Sequence, residues 1–120
     1  MEIDESDIRS VLNAYVSGFN RGDKDLLVQA FHPRFVSSGF VGGELQWDSG
    51  EEFAEFCEKA APDPEGPIPD WHLEHLTVSG KTAVAIIRDQ WGDREFRDSL
   101  TLLKDGGRWR IVFKAFHGLS

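Results

Sequence analysis

Between residues 6 and 20, apolar residues recur at steps of three and four. Ile8, Val11, Leu12, Tyr15, Val16 and Phe19 form one stripe, which predicts a helix. Asp4 or Ser6 is placed to cap its start, and Gly22 to end it in a left-handed turn. A short second helix is expected after Asp23, with Leu26, Leu27, Ala30 and Phe31 on its apolar side. Pro33 stops it, because the residue before proline is pushed out of the helical region. Residues 34–47, RFVSSGFVGGELQW, read as a β-hairpin with arms Phe35–Phe40 and Glu44–Trp47 around Gly42-Gly43. Ser49 and Glu52 then stand three apart as a capping box. The helix they open carries Phe53, Phe56, Cys57 and Ala60 on one side. Four prolines within residues 61–70, APDPEGPIPD, forbid helix or central strand and predict a surface loop.

The remaining pattern is that of strands. Residues 71–79 and 82–91 flank the turn Ser79-Gly80-Lys81, and residues 94–104 and 108–117 flank Asp105-Gly106-Gly107. Leu73, Leu76 and Val78 share a face only if a bulge lies between 73 and 76. The order ααββαββββ is an α+β domain spanning residues 1–120, with three helices on one face of a strongly bent antiparallel sheet.

One residue breaks the apolar face of the strand over 94–104. Phe96, Leu100 and Leu102 suit a core, and Asp98 stands among them. Its facing depends on the hairpin loop. A two- or four-residue loop pairs Asp98 with Phe113 or Ala115 and puts Trp109, Ile111 and His117 on its face; a three-residue loop pairs it with Lys114. In the first case the acid sits among rings, where burial raises a carboxyl pKa toward the range of general acid–base work. In the second it is half of a cross-strand ion pair worth little.

Composition narrows the function classes. At 40% apolar and 28% charged residues, the chain is globular rather than disordered. A net charge of −8 argues against nucleic-acid binding, which needs a basic footprint. Most acids fall before residue 71, on the exposed faces of the expected helices. No run of apolar residues is long enough for a membrane helix, and the acidic start MEIDESDI is not a signal peptide, so the expected location is the cytoplasm. Cys57, the single cysteine, falls on an apolar helix stripe and reads as a packed small hydrophobe. There is no phosphate loop, no G-x-S-x-G and no dinucleotide fingerprint, so no cofactor is implied.

The ordered set VLNAYVSGFNRGDKDLLVQAFHP (11–33), GEL (43–45), EFAEF (52–56) and FRDSLTLLKDGGRWRIVFKAFH (96–117) resembles the nuclear transport factor 2-like superfamily. It is similar to the SnoaL-like branch and, more narrowly, to the bacterial group labelled "putative lumazine-binding". The resemblance implies a cone: a bent sheet wrapped around the first helix, leaving a cavity open at one end. It also implies a homodimer. In SnoaL-like enzymes an acid on a cone-facing strand often serves as base, which favours an inward Asp98. Ketosteroid isomerase, a distant relative on this fold, pairs a carboxylic acid with a tyrosine from the first helix, the place Tyr15 holds here. Its base comes from the strand after the second helix, where this chain has Ser37 and Ser38, a departure that weighs against isomerisation by that route.

The candidate catalytic residues are therefore Asp98 and Tyr15. The cavity wall is expected from Phe19, His32, Trp47, Phe56, Trp71, His72, Arg88, Phe113 and His117. Arg88 is an anion anchor in the cone, a partner of Asp98, or half of an ion pair on the outer face. His72 and His75 have H-x-x-H spacing, which a strand splits, so no metal site is expected. The first reading is a cavity that binds an aromatic or polyketide-like small molecule, with cofactor-free isomerase, dehydratase or cyclase chemistry. The alternatives are a non-catalytic binder with the same cavity, and a protein-association module whose cone is filled by side chains. The partners expected are a small molecule and a second copy of the chain, with no nucleic acid and no membrane.

Overall fold

The computed structural model describes residues 2–119. Its elements follow the predicted order. They are α1 (Glu2–Arg21), α2 (Lys24–Ala30), β1 (Phe31–Val41), β2 (Glu44–Ser49), α3 (Gly50–Ala60), β3 (His72–Ser79), β4 (Thr82–Trp91), β5 (Arg94–Asp105) and β6 (Arg108–Gly118). The strands form one curved sheet in the order β2-β1-β6-β5-β4-β3, and the helices pack on its inner face.

Local chemistry sets the element ends. Gly22 ends α1 at φ +67°, where a Cβ would lie 2.7 Å from the Cys57 carbonyl. Asp23 caps α2 by accepting from the Leu26 amide, and the Ser49–Glu52 capping box opens α3 in both directions. The expected caps of α1 have another use or none. The helix begins earlier, at Glu2, and the Asp4 carboxylate instead accepts from Lys104 Nζ at 3.0 Å and Trp109 Nε1 at 3.1 Å. Those bonds fasten the first turn of α1 to β5 and β6 and hold the Asp4 carboxyl below its ordinary pKa.

Two features of the sheet correct the sequence reading. The sheet is mixed, because β1 runs parallel to β6 while every other pair is antiparallel. The chain leaves β2 through α3 and the proline loop, crosses to the far edge and returns strand by strand, so β6 arrives beside β1 in the same direction. The second correction is a bulge in β6. The register runs Leu102↔Ile111 and then Thr101↔Phe113, so Val112 is an extra residue. Trp109 and Ile111 face inward before it, and Lys114 and Phe116 face inward after it. A second bulge, between Leu73 and His75 in β3, falls where the apolar pattern requires one.

The two ends of the interior differ. Ile8, Leu12, Ala83, Ala85, Leu100, Leu102, Trp109 and Ile111 fill one end as a solid core, all but inaccessible to water. Tyr15, Phe19, Phe53, Asp89, Asp98, Lys114 and Phe116 occupy the other. Asn20 ties that second end together: its Nδ2 donates to the Val16 and Gln90 carbonyls, and its Oδ1 accepts from the Gly92 amide in the β4–β5 turn.

Candidate functional site

Asp98 points inward and is 1% exposed. Neither loop alternative supplies its partner, because the β6 bulge shifts the register and sets Asp98 opposite Phe116. The Tyr15 hydroxyl, from α1, donates to Asp98 Oδ2 at 2.9 Å. Asp89 lies on the neighbouring strand. Ile87 is opposite Asp98 and Asp89 is opposite Phe96, so the two acids are diagonal neighbours on the inner face. Neither Asp89 oxygen nor Asp98 Oδ1 meets a donor.

Two carboxylates buried this close cannot both carry charge at low cost. Burial first, and then the Asp98 charge and a hydrogen bond to it, raise the Asp89 pKa well above the ordinary carboxylate range. A proton held on Asp89 supplies the missing donor, and Asp98 becomes the acceptor of hydrogen bonds from both Tyr15 and Asp89. The same burial, with the acids as neighbours, raises the Tyr15 phenol well above its usual value, so it stays protonated and donating.

Lys114 is a further polar group of this end. It is 2% exposed, and its Nζ lies 4.1 Å from the centroid of Phe53, 4.9 Å from those of Phe19 and Phe116, and 5.1 Å from that of Tyr15. Four ring faces hold the cation. Among the described residues no carboxylate oxygen lies within 4.0 Å of it. Above these groups is a hollow of about 170 Å³, lined by Phe19, Phe53, Phe96, Phe116, Trp91 and Lys114, with Val41, Gln46, Phe56 and Arg94 around it. That is smaller than the roughly 300–1,000 Å³ usual for a drug-sized ligand and has room for about one ring system. Tyr15, Asp89 and Asp98 are not among its lining residues. Gly39 sets how closely β1 passes Phe116: a Cβ there would lie 2.2 Å from the Phe116 carbonyl, so only glycine lets β1 approach β6 at this point.

The expected wall residues divide sharply. Phe19 lines the hollow, and Phe56, though 54% exposed, stands at its edge and stacks on Trp91 at 5.9 Å. Phe113 and His117 fall on the outer face because Val112 reverses the alternation of β6. Arg88 also points outward, where its Nε donates to Glu95 at 2.9 Å, so it is no anion anchor in the cone. His72 is exposed at the start of β3. Trp47 is 67% exposed on the outer face of β2. Trp71 packs over α1 and donates to Asn13 Oδ1 at 3.2 Å, away from the hollow. His32 accepts from the Arg34 amide through Nδ1 and borders a different depression, beside Gly50. Cys57 is buried, and its thiol pKa is pushed up to about 12, which makes it a poor nucleophile. No cluster of metal-ligating side chains exists among the described residues.

Sequence reasoning left out Asp89 and Lys114. Asp89 carried a signal, since it ends the alternating stripe Ala83, Ala85, Ile87 just as Asp98 interrupts Phe96, Leu100, Leu102. Lys114 carried none, because its facing depends on the Val112 bulge.

The family described as "Putative lumazine-binding" matches residues 3–117. The chain belongs to that family. Its NTF2-like fold is shared with an NTF-2-like protein of unknown function from Silicibacter pomeroyi DSS-3, at 30% identity and a TM-score of 0.91 over 98% of this chain and 97% of the other. An NTF2-like protein of unknown function from Methylobacillus flagellatus KT matches at 26% identity and a TM-score of 0.85, over 98% and 93% of the two chains. Among characterised relatives, the aldolase FrzH of Cladobotryum sp is 28% identical over 105 residues, covering 86% of this chain and 82% of that protein. Fold kinship leaves the chemistry to be argued from the site itself. No helix among the described residues is long and apolar enough to cross a membrane.

Proposed function

We propose that this NTF2-like chain binds a small ring-sized organic molecule in the hollow and moves a proton on it without a cofactor. The observation that carries this reading is the buried Tyr15–Asp98 hydrogen bond with Asp89 beside it, directly behind a ring-lined hollow. A folded protein has no stability reason to bury two acids side by side, whereas acid–base chemistry needs a proton donor and acceptor held at different affinities. Asp98 serves as base, and Asp89 holds the proton that returns. Tyr15 orients Asp98. The apolar lining selects an aromatic or similarly flat molecule, and the aldolase among the relatives supports a carbonyl compound, whose neighbouring C–H is the acidic one. Isomerisation, dehydration, cyclisation and aldol-type carbon–carbon chemistry all begin with that proton transfer.

The test has two stages. A thermal-shift screen against a metabolite library identifies a binder by its effect on the melting temperature. Asp98→Asn is then expected to leave that binding within twofold and to lower turnover, or hydrogen–deuterium exchange next to the carbonyl, by about a hundredfold or more. Unchanged exchange in the variant removes Asp98 from the chemistry and leaves a ligand binder without turnover. One observation favours that second reading: the acids stand behind the hollow and do not line it.

A second copy of the chain is the proposed partner. The outer face of the sheet presents Phe40, Leu45, Trp47, Val84 and Leu103 to solvent, and large apolar side chains exposed on a sheet face suit a contact with a second copy. Trp47→Glu is expected to halve the mass seen by light scattering, and a wild-type chain that is already monomeric rejects the assembly.

A further inference from the structure

Lys114 is the polar group that both lines the hollow and adjoins the acid pair, and proton transfer by Asp98 does not explain it. Structural lysines in protein interiors are expected to meet a carboxylate. This one is held by four ring faces, with no carboxylate oxygen within 4.0 Å among the described residues. The bulge at Val112 turns it inward at the cost of regular pairing. On β6 it is opposite Leu100, which makes it the diagonal neighbour of Asp98 on the inner face. The groups around it are Tyr15 from α1, Cys57 from α3, Asp48 from β2, Asp89 from β4 and Asp98 from β5. Of these, Asp98 Oδ2 accepts from Tyr15, and Asp98 Oδ1 is a buried acceptor whose one donor is the proton held on Asp89.

We propose that Lys114 is an amine nucleophile that forms a Schiff base with an aldehyde or ketone bound in the hollow. This rests on the small-molecule reading above and names its substrate class: a carbonyl compound with one flat apolar group. The ammonium gives one proton to the carboxyl pair. The freed nitrogen attacks the carbonyl carbon, an N–C bond forms, and a nitrogen proton moves to oxygen. The carbinolamine hydroxyl then leaves as water, taking back the proton lent to the pair, and a protonated C=N bond remains. No oxidant, reductant or metal is consumed. The iminium acidifies the adjacent C–H, and the proton Asp98 removes is that one, so the amine gives the acid pair an electron sink.

Reductive trapping tests this directly. The wild-type chain is incubated separately with acetaldehyde and benzaldehyde in the presence of sodium cyanoborohydride, and the labelled lysines are located by peptide mass mapping. The chain has five lysines, and Lys24, Lys59, Lys81 and Lys104 serve as internal controls. The expected result is at least tenfold more alkylation at Lys114 than at any of those four, despite its burial. Lys114→Arg, which keeps the cation over the rings, is expected to lose that excess label while its melting temperature stays within a few degrees. Labelling of Lys114 at or below the level of the other four with both aldehydes overturns the proposal. If a carbonyl compound from the thermal-shift screen still raises the melting temperature in that event, the amine chemistry fails while the small-molecule reading survives. If Lys114 is labelled but Asp98→Asn leaves exchange unchanged, the amine stands and the base assignment fails.

Discussion

The two ends of the interior are built on the same strands and the same inner face, yet one is solid and the other is not. β4, β5 and β6 each contribute apolar residues at the first end: Ala83 and Ala85, Leu100 and Leu102, Trp109 and Ile111. A few positions further along, the same three strands contribute Asp89, Asp98 and Lys114. The first end is ordinary core, where close packing supplies stability. The second gives up that packing for one tyrosine hydrogen bond, a crowded acid pair and a lysine over rings. Stability and chemistry are thus separated along the strands of one sheet, and α1 serves both, with Ile8 and Leu12 in the first end and Tyr15 and Phe19 in the second.

The sharpest way to break the contrast is to hollow the solid end. Leu100→Ala removes a side chain with no exposure, and about 2–5 kcal/mol of unfolding free energy is expected to go with it in urea titrations. A loss below 1 kcal/mol would mean that this end is not the stabilising one. Asp89→Asn is the opposite experiment. An amide there donates to Asp98 without needing a borrowed proton. Because the folded-state pKa of Asp89 is raised, its contribution is complete below the ordinary carboxylate range and is lost as pH climbs toward the raised value. Within that window wild-type stability is expected to fall by about 1.4 kcal/mol per pH unit, and the variant is expected to be flatter and more stable at neutral pH. Parallel pH profiles for the two proteins would sink this account of the acid pair. The smallest effect belongs to the outer face. Arg88→Ala breaks a half-exposed pair with Glu95 and is expected to cost less than about 1 kcal/mol, less still in high salt, with ligand binding unchanged. A binding defect in Arg88→Ala would reopen its role as an anion anchor.

How much of this was legible depends on where local chemistry decides. The stripe of α1, the Ser49–Glu52 box, the proline loop and the β3 bulge all announce themselves through periodicity or turn residues. The inward facing of Asp98 was one of two readings left by the Asp105-Gly106-Gly107 turn. The parallel β1–β6 pair is a contact between distant segments and leaves no local mark. The β6 bulge is harder still. Bulges are often flagged by glycine, but Ile111, Val112 and Phe113 are all apolar, and either facing suits each of them. That single ambiguity hid Lys114 and promoted Phe113 and His117 to a wall they do not reach. Asp89 was hidden differently: its stripe was readable, but the acid sits next to Trp91 at the strand end, where an exposed position is the ordinary expectation.

The extra residue in β6 also frees the two halves of that strand from a shared alternation. Were Val112 held in the ladder as an ordinary paired residue, Phe113 and Ala115 would turn to the interior and Lys114 would meet solvent. Were it missing altogether, Phe113 would follow Ile111 opposite Thr101 in unbroken pairing and the cation would stay where it is, so it is the slip of one residue out of the ladder, and not the length of the strand, that decides whether this vessel is greasy or charged.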